Sequence, residues 1–170
     1  EYALRHKWNE RTGGEDVDRS DIYLAGKQQQ LVEKVQASGK PTIVVLVNGR
    51  PLGVEWIAEN CAALLEAWEP GCFGGQAVAE ILYGKVNPSA KLPVTMPRHA
   101  GQLPQFYNYK PSMYFHPYVL SESTPLFPFG YGLSYTTYKY KNLRFDKEKI
   151  KTDGFVMVNI DVENTGKYGG

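Results

Sequence analysis

Up to Gly26 the chain mixes polar, charged and apolar positions without a regular period, with Gly13-Gly14 at the centre, and this predicts a loop of a length that is often functional. From Lys27 the pattern changes. Leu31, Val32 and Val35 recur at helical spacing, and Ser38-Gly39 followed by Lys40-Pro41 predicts where that helix stops. Thr42 to Val47 is an apolar run dominated by β-branched residues, which predicts a strand buried on both faces in a parallel sheet, with a short helix after it. Ala62 to Trp68 predicts the next strand, closed by Pro70-Gly71. Gly75 to Leu82 predicts a helix with Val78, Ile81 and Leu82 on one face. Helix, strand, helix, strand, helix is the order of an α/β fold: a layered, doubly wound and mostly parallel sheet with flanking helices and right-handed crossovers.

After Asn87-Pro88 the texture changes again, with prolines at 88, 93, 97, 104, 111, 117, 125 and 128 and many tyrosines. Regular structure there should be short. Lys91 to Thr95 predicts one more strand, and the rest reads as an ordered connector rooted by aromatic side chains. Alternation then returns at Tyr138, Tyr140, Leu143 and Phe145 and again from Phe155 to Val162, which predicts an all-β unit. The expected division is an α/β domain over 1–124, a connector over 125–136 and the first strands of an incomplete β-sandwich over 137–170. An alternating strand so near the last residue calls for partners outside this chain. Together with a first residue that is Glu1, this leads us to expect an internal fragment of a longer protein.

Charge and composition narrow the function classes. The 19 basic and 18 acidic side chains leave a net charge of +1, which argues against a nucleic-acid partner. The longest wholly apolar run, Ile43 to Val47, is far short of the ~20 residues that span a bilayer, so no membrane partner is expected. Cys61 and Cys72 have no metal-ligand or redox-motif spacing and are expected to be thiols. His6, His99 and His116 are scattered, so no metal site is expected. Gly74-Gly75 opens a helix but belongs to no phosphate-binding motif, and no cofactor is expected.

Chemistry concentrates in Gly13-Gly14-Glu15-Asp16-Val17-Asp18-Arg19, where three carboxylates fall within four residues. A carboxylate crowded by others and shielded from water has its pKa raised, as a general acid working near neutrality requires. The neighbouring Asp18-Arg19 is better suited to fixing the loop by a charge-assisted contact than to proton transfer. Residue types alone leave Glu10, Glu15, Asp16 and Asp18 open for such a role, beside a loop that is merely solvated. Asn48-Gly49-Arg50-Pro51 follows the first strand directly, at the carboxyl edge where open α/β sheets bind ligands.

Three stretches together closely resemble the carboxy-terminal half of family-3 glycoside hydrolases: Lys40 to Pro51, Asn87 to Thr95, and Pro125-Leu126-Phe127-Pro128-Phe129-Gly130-Tyr131-Gly132-Leu133-Ser134-Tyr135-Thr136. Residues 12–101 match the α/β-sandwich domain of that family, and 125–170 match its connector and the opening of a fibronectin type III-like domain. Gly14-Glu15-Asp16-Val17-Asp18-Arg19, followed by Gln28 to Leu31, is similar to the family's Gly-Glu-x-x-Asp-Arg loop. The resemblance implies that Glu15 is the general acid/base of a retaining, exo-acting β-glucosidase or β-xylosidase. The nucleophilic aspartate would lie on an amino-terminal (β/α)-barrel domain that this chain lacks, so the chain alone is expected to be inactive. Implied partners are that barrel and a β-linked oligosaccharide or aryl glycoside, and the implied location is periplasmic or secreted.

Arg50 and Trp68, at the ends of successive strands, are candidates for contact with sugar hydroxyls and a sugar face. Loop anchoring and packing are the plainer readings of both. Tyr107, Tyr109, Tyr114 and Tyr118 either edge a sugar subsite or glue the proline-rich connector in place. The sequence departs from the family at Ala25, where proline is usual, and at Ala90, where glycine is usual; an alanine required to take positive φ would cost stability. A non-catalytic carbohydrate-binding or structural module is the competing expectation.

Overall fold

The computed structural model describes residues 19–108 and 118–169. It divides into two compact units, the first built from residues up to Val78 together with Lys91–Tyr131, the second from Ala79–Ala90 and Gly132–Gly170.

In the first unit, α1 (Gln28–Gln36) precedes β1 (Ile43–Leu46), α2 (Glu55–Asn60) and β2 (Ala63–Glu66); α3 (Gly74–Leu82) follows, with Gly74–Val78 in the first unit and Ala79–Leu82 in the second. The expected order is therefore present. Helix α1 ends where the sequence indicates, with Gly39 at φ +76° donating its N–H to the Gln36 carbonyl. β1 and β2 pair in parallel, from Ile43 opposite Ala63 to Leu46 opposite Glu66. The ladder continues past both strands, with Ala67 N–H bonded to Leu46 O and Asn48 N–H to Trp68 O. Burial departs from the expectation for β1. Ile43 is 49% and Val47 66% exposed, and only Leu46 is buried, because β1 has a single strand beside it among the described residues.

The core gathers Leu46 from the end of β1, Leu52 and Val54 from the segment that follows, Ile57 from α2, and Met96. Apolar spacing within the six-residue α2 places Ile57 inward with no exposed surface. The helix is too short to persist on its own propensity and is held by that burial. Glu55 in its first turn complements the helix dipole and reaches Arg98.

Lys91 to Thr95 is not a strand of the sheet. Leu92 and Met96 instead bond across to Tyr131 and Phe127, with a single antiparallel bridge at Met96 and Phe127. Prolines at 93, 97 and 128 remove ladder donors and keep this pairing from growing into a strand. Phe127 stacks on Tyr131, Tyr107 packs on Phe129, and Tyr118 meets His99 edge-on, so these aromatics root the proline-rich segment within the first unit. Tyr109 and Tyr114 lie outside the described residues. Of the two glycines that open α3, Gly74 has a packing cause, since a Cβ there would run into the Pro70 ring, whereas Gly75 faces open space. Ala90 is not among the positive-φ residues and carries no backbone strain.

In the second unit β3 (Tyr138–Phe145) pairs antiparallel with β4 (Val158–Asn164). The register shifts between Lys141 and Arg144, where Asn142 takes φ +52°, the signature of a bulge filled by a residue that tolerates the left-handed region. Asn87 Oδ1 accepts from Ser134 Oγ and Tyr135 N–H and anchors the approach to β3. Arg144 and Asn142 both bond Asp161, and the Arg144 hydrogen bond above all holds that carboxyl down at about 2, from an ordinary 3.8. A depressed carboxylate adds stability above its unfolded pKa and loses it as pH falls through the folded one. Acid titration is therefore expected to loosen the β3–β4 pair between pH 3.8 and about 2. Amide exchange across β3 and β4 would report this, and Asp161→Asn should flatten the dependence in that window.

Candidate functional site

The candidate site lies at the carboxyl edge of β1 and β2, where the sequence places Arg50 and Trp68. Both are partly buried there, each in the turn that leaves its strand. Two residues that sequence reasoning passed over, Asn48 and Glu66, tie these turns together. Asn48 Nδ2 donates to both carboxylate oxygens of Glu66, at 3.1 and 3.3 Å, while its Oδ1 accepts the Arg50 N–H at 3.0 Å. Glu66 Oε1 also accepts the Trp68 N–H at 3.1 Å. The Trp68 carbonyl in turn accepts from Asn48 N–H at 3.2 Å, closing a ring of hydrogen bonds between the two turns.

Trp68 has φ +51°. A bulky residue held in that region costs about 1–3 kcal/mol, and it persists only where the surroundings enforce it. Here both the N–H and the C=O of the residue are engaged. Burial pushes the Glu66 carboxyl up, opposed by the Trp68 backbone N–H and the Asn48 amide. A carboxyl whose folded pKa is raised adds stability at low pH and loses it as pH rises through the folded value. Ionised Glu66 is thus a cost to the fold near neutrality. The signal that could have found it is a lone carboxylate inside the otherwise apolar run from Ala62 to Trp68.

Two hollows lie elsewhere in the first unit. One of about 400 Å3 is bordered by Lys40, Thr42, Cys61 and Ala62 at the amino ends of the strands, away from the carboxyl edge. The other, about 290 Å3, is lined by Tyr23, Gly53, Glu55, Trp56, Arg98 and His99. Arg98 there is occupied by structure: it pairs with Glu55 at 2.5 Å and Glu122 at 2.8 Å and donates through Nε to the Thr124 carbonyl. Gln102 completes this knot by accepting from Arg98 N–H and donating to the carbonyls of Glu122 and Thr124. Arg19 pairs with Asp21 at 3.3 Å and donates to the Tyr23 carbonyl at 2.7 Å, both on the carboxyl side of the acidic loop. Glu10, Glu15, Asp16 and Asp18 lie outside the described residues. Among the described residues no cluster of three or more metal-ligating side chains occurs, the two cysteines are unpaired, and no helix is long and apolar enough to cross a membrane.

Residues 4–135 match the family model described as the glycosyl hydrolase family 3 C-terminal domain. The chain belongs to glycosyl hydrolase family 3. This family-3 chain is 47% identical over 163 residues to a β-xylosidase of Formosa agariphila, covering 94% of the chain and 22% of that relative. It is 39% identical over 166 residues to a periplasmic β-glucosidase of Salmonella typhimurium, covering 92% and 22%. Among solved structures, a β-glucosidase of Erythrobacter marinus superposes with a TM-score of 0.83 at 49% identity over 91% of the chain. The β-glucosidase of Listeria innocua in complex with glucose gives 0.84 at 35% identity over 93%. The chain spans about a fifth of the length of these relatives.

Proposed function

We propose that this family-3 chain is part of a retaining, exo-acting β-glycosidase that removes terminal non-reducing glucose or xylose from β-linked oligosaccharides and aryl β-glycosides. Its contribution is the general acid/base, Glu15. Retention uses two carboxyl groups about 5–5.5 Å apart, one forming the glycosyl intermediate and the other protonating the leaving oxygen. The nucleophile is assigned to an aspartate on a (β/α)-barrel domain outside this chain, and the substrate to the space between that barrel and the carboxyl edge of β1 and β2. Arg50 and Trp68 are assigned to the sugar, the guanidinium as a donor to hydroxyls and the indole as a stacking face. We assign the second unit to the start of a fibronectin type III-like domain, and the protein to the periplasm or beyond.

The observation that carries this reading is the coincidence of the family match over 4–135 with the motif Gly14-Glu15-Asp16-Val17-Asp18-Arg19 inside it. Relatives named as β-xylosidase and β-glucosidase support the substrate class. The test follows hydrolysis of aryl β-glucoside and aryl β-xyloside by proton NMR, using the full-length protein and the 170-residue chain side by side. The full-length protein should release the β-anomer first and the chain alone should give no turnover. First release of the α-anomer, or turnover by the chain alone, would contradict the reading.

A further inference from the structure

We infer that Glu66 is a positioning residue for sugar binding: its carboxylate clasps the turn after β2 to the turn after β1 and so sets the places of Trp68 and Arg50. The inference rests on the assignment of Trp68 and Arg50 to the sugar made above.

One carboxylate serves both turns. Its Oε1 holds the Trp68 N–H, and both oxygens hold Asn48 Nδ2. Asn48 passes the constraint on, because its Oδ1 fixes the Arg50 N–H and its own N–H fixes the Trp68 carbonyl. The amide orientation of Asn48 is therefore determined on both sides, and a flip would break the Arg50 bond. Trp68 needs such a clasp. A left-handed φ of 51° is not a resting conformation for a tryptophan, and a turn free to relax would carry the indole away from its place. Stability does not explain the carboxylate, since its burial disfavours the ionised form. Misplacing a substrate contact by about 1 Å is enough to cost binding or rate by an order of magnitude or more.

The experiment compares Trp68→Ala, Glu66→Ala, Glu66→Gln and Asn48→Ala in the full-length protein, reading KM and kcat on an aryl β-glycoside and the thermal midpoint of each variant. Trp68→Ala, Glu66→Ala and Asn48→Ala should each raise KM about tenfold with kcat within about threefold, the pattern of lost ground-state binding. Glu66→Gln keeps an acceptor for the Trp68 N–H and should stay within about threefold of the native KM. The double variant Glu66→Ala/Asn48→Ala should be no worse than Glu66→Ala, as for two members of one unit. A folded Glu66→Ala or Asn48→Ala with native KM, beside a raised KM in Trp68→Ala, would overturn the clasp and leave the sugar assignment standing. A native KM in Trp68→Ala would remove both. Should Glu66→Ala fail to fold, Asn48→Ala decides: a native KM there overturns the inference, and a raised one supports it.

Discussion

Replacing Glu15 with alanine in the full-length protein is expected to lower kcat/KM on an unactivated β-disaccharide by about a hundredfold to ten-thousandfold, the range spanned by general acid/base groups. The leaving alcohol of such a substrate departs as a poor anion unless a proton reaches the glycosidic oxygen in the transition state. An aryl glycoside with an acidic phenol needs little of that help. On it, kcat/KM should fall far less, while kcat falls because water is no longer activated for attack on the glycosyl intermediate. The intermediate then accumulates, and KM should drop with kcat. This dependence on the leaving group separates loss of an acid/base from loss of folding, which would depress both substrates alike. Native activity on both would send the search to Glu10, Asp16 or Asp18.

Ile57→Ala is expected to cost about 2–5 kcal/mol, the range for truncating a fully buried aliphatic side chain to alanine. Ile57 has no exposed surface, and it joins Leu46, Leu52, Val54 and Met96 in one cluster. The neighbours come from the end of β1, from the segment before α2 and from beyond α3, so the cavity cannot close by moving one element. The side chain is also the main reason that a helix as short as Glu55–Asn60 forms. The midpoint of urea unfolding of the full-length protein would report the loss, with Ile57→Val as a milder companion at about 0.5–1.5 kcal/mol. A midpoint for Ile57→Ala indistinguishable from the native one would mean that this core does not support the unit.

The order of the helices and strands was legible because each is marked by strong local chemistry: helical spacing ended by Gly39, a β-branched run at Ile43 to Val45, and Pro70-Gly71 after β2. The parallel pairing followed from that order. Burial was less legible. Ile43 and Val47 carry the residue types of a fully covered strand, yet coverage is a property of neighbours and not of the run itself. Lys91 to Thr95 looked like a strand from its apolar positions, while the prolines within and opposite it decided otherwise by removing donors. Arg50 and Trp68 were singled out in the sequence only as candidates, because strand ends are where ligands bind in such sheets. Asn48 and Glu66 were not, because their role depends on pairing across two strands 18 residues apart. A positive φ at Trp68 has no mark in the sequence at all, since the residue type argues against it.

The most direct test of the central claim, that Glu15 is the acid/base of a retaining β-glycosidase, is azide rescue of Glu15→Ala in the full-length protein. Azide is a nucleophile that needs no general base, so it can take the place of water at the glycosyl intermediate. The expected result is recovery of aryl β-glycoside turnover with rising azide, and a glycosyl azide of β configuration as the product. Absence of rescue in a folded variant, or an α-configured azide, would contradict it.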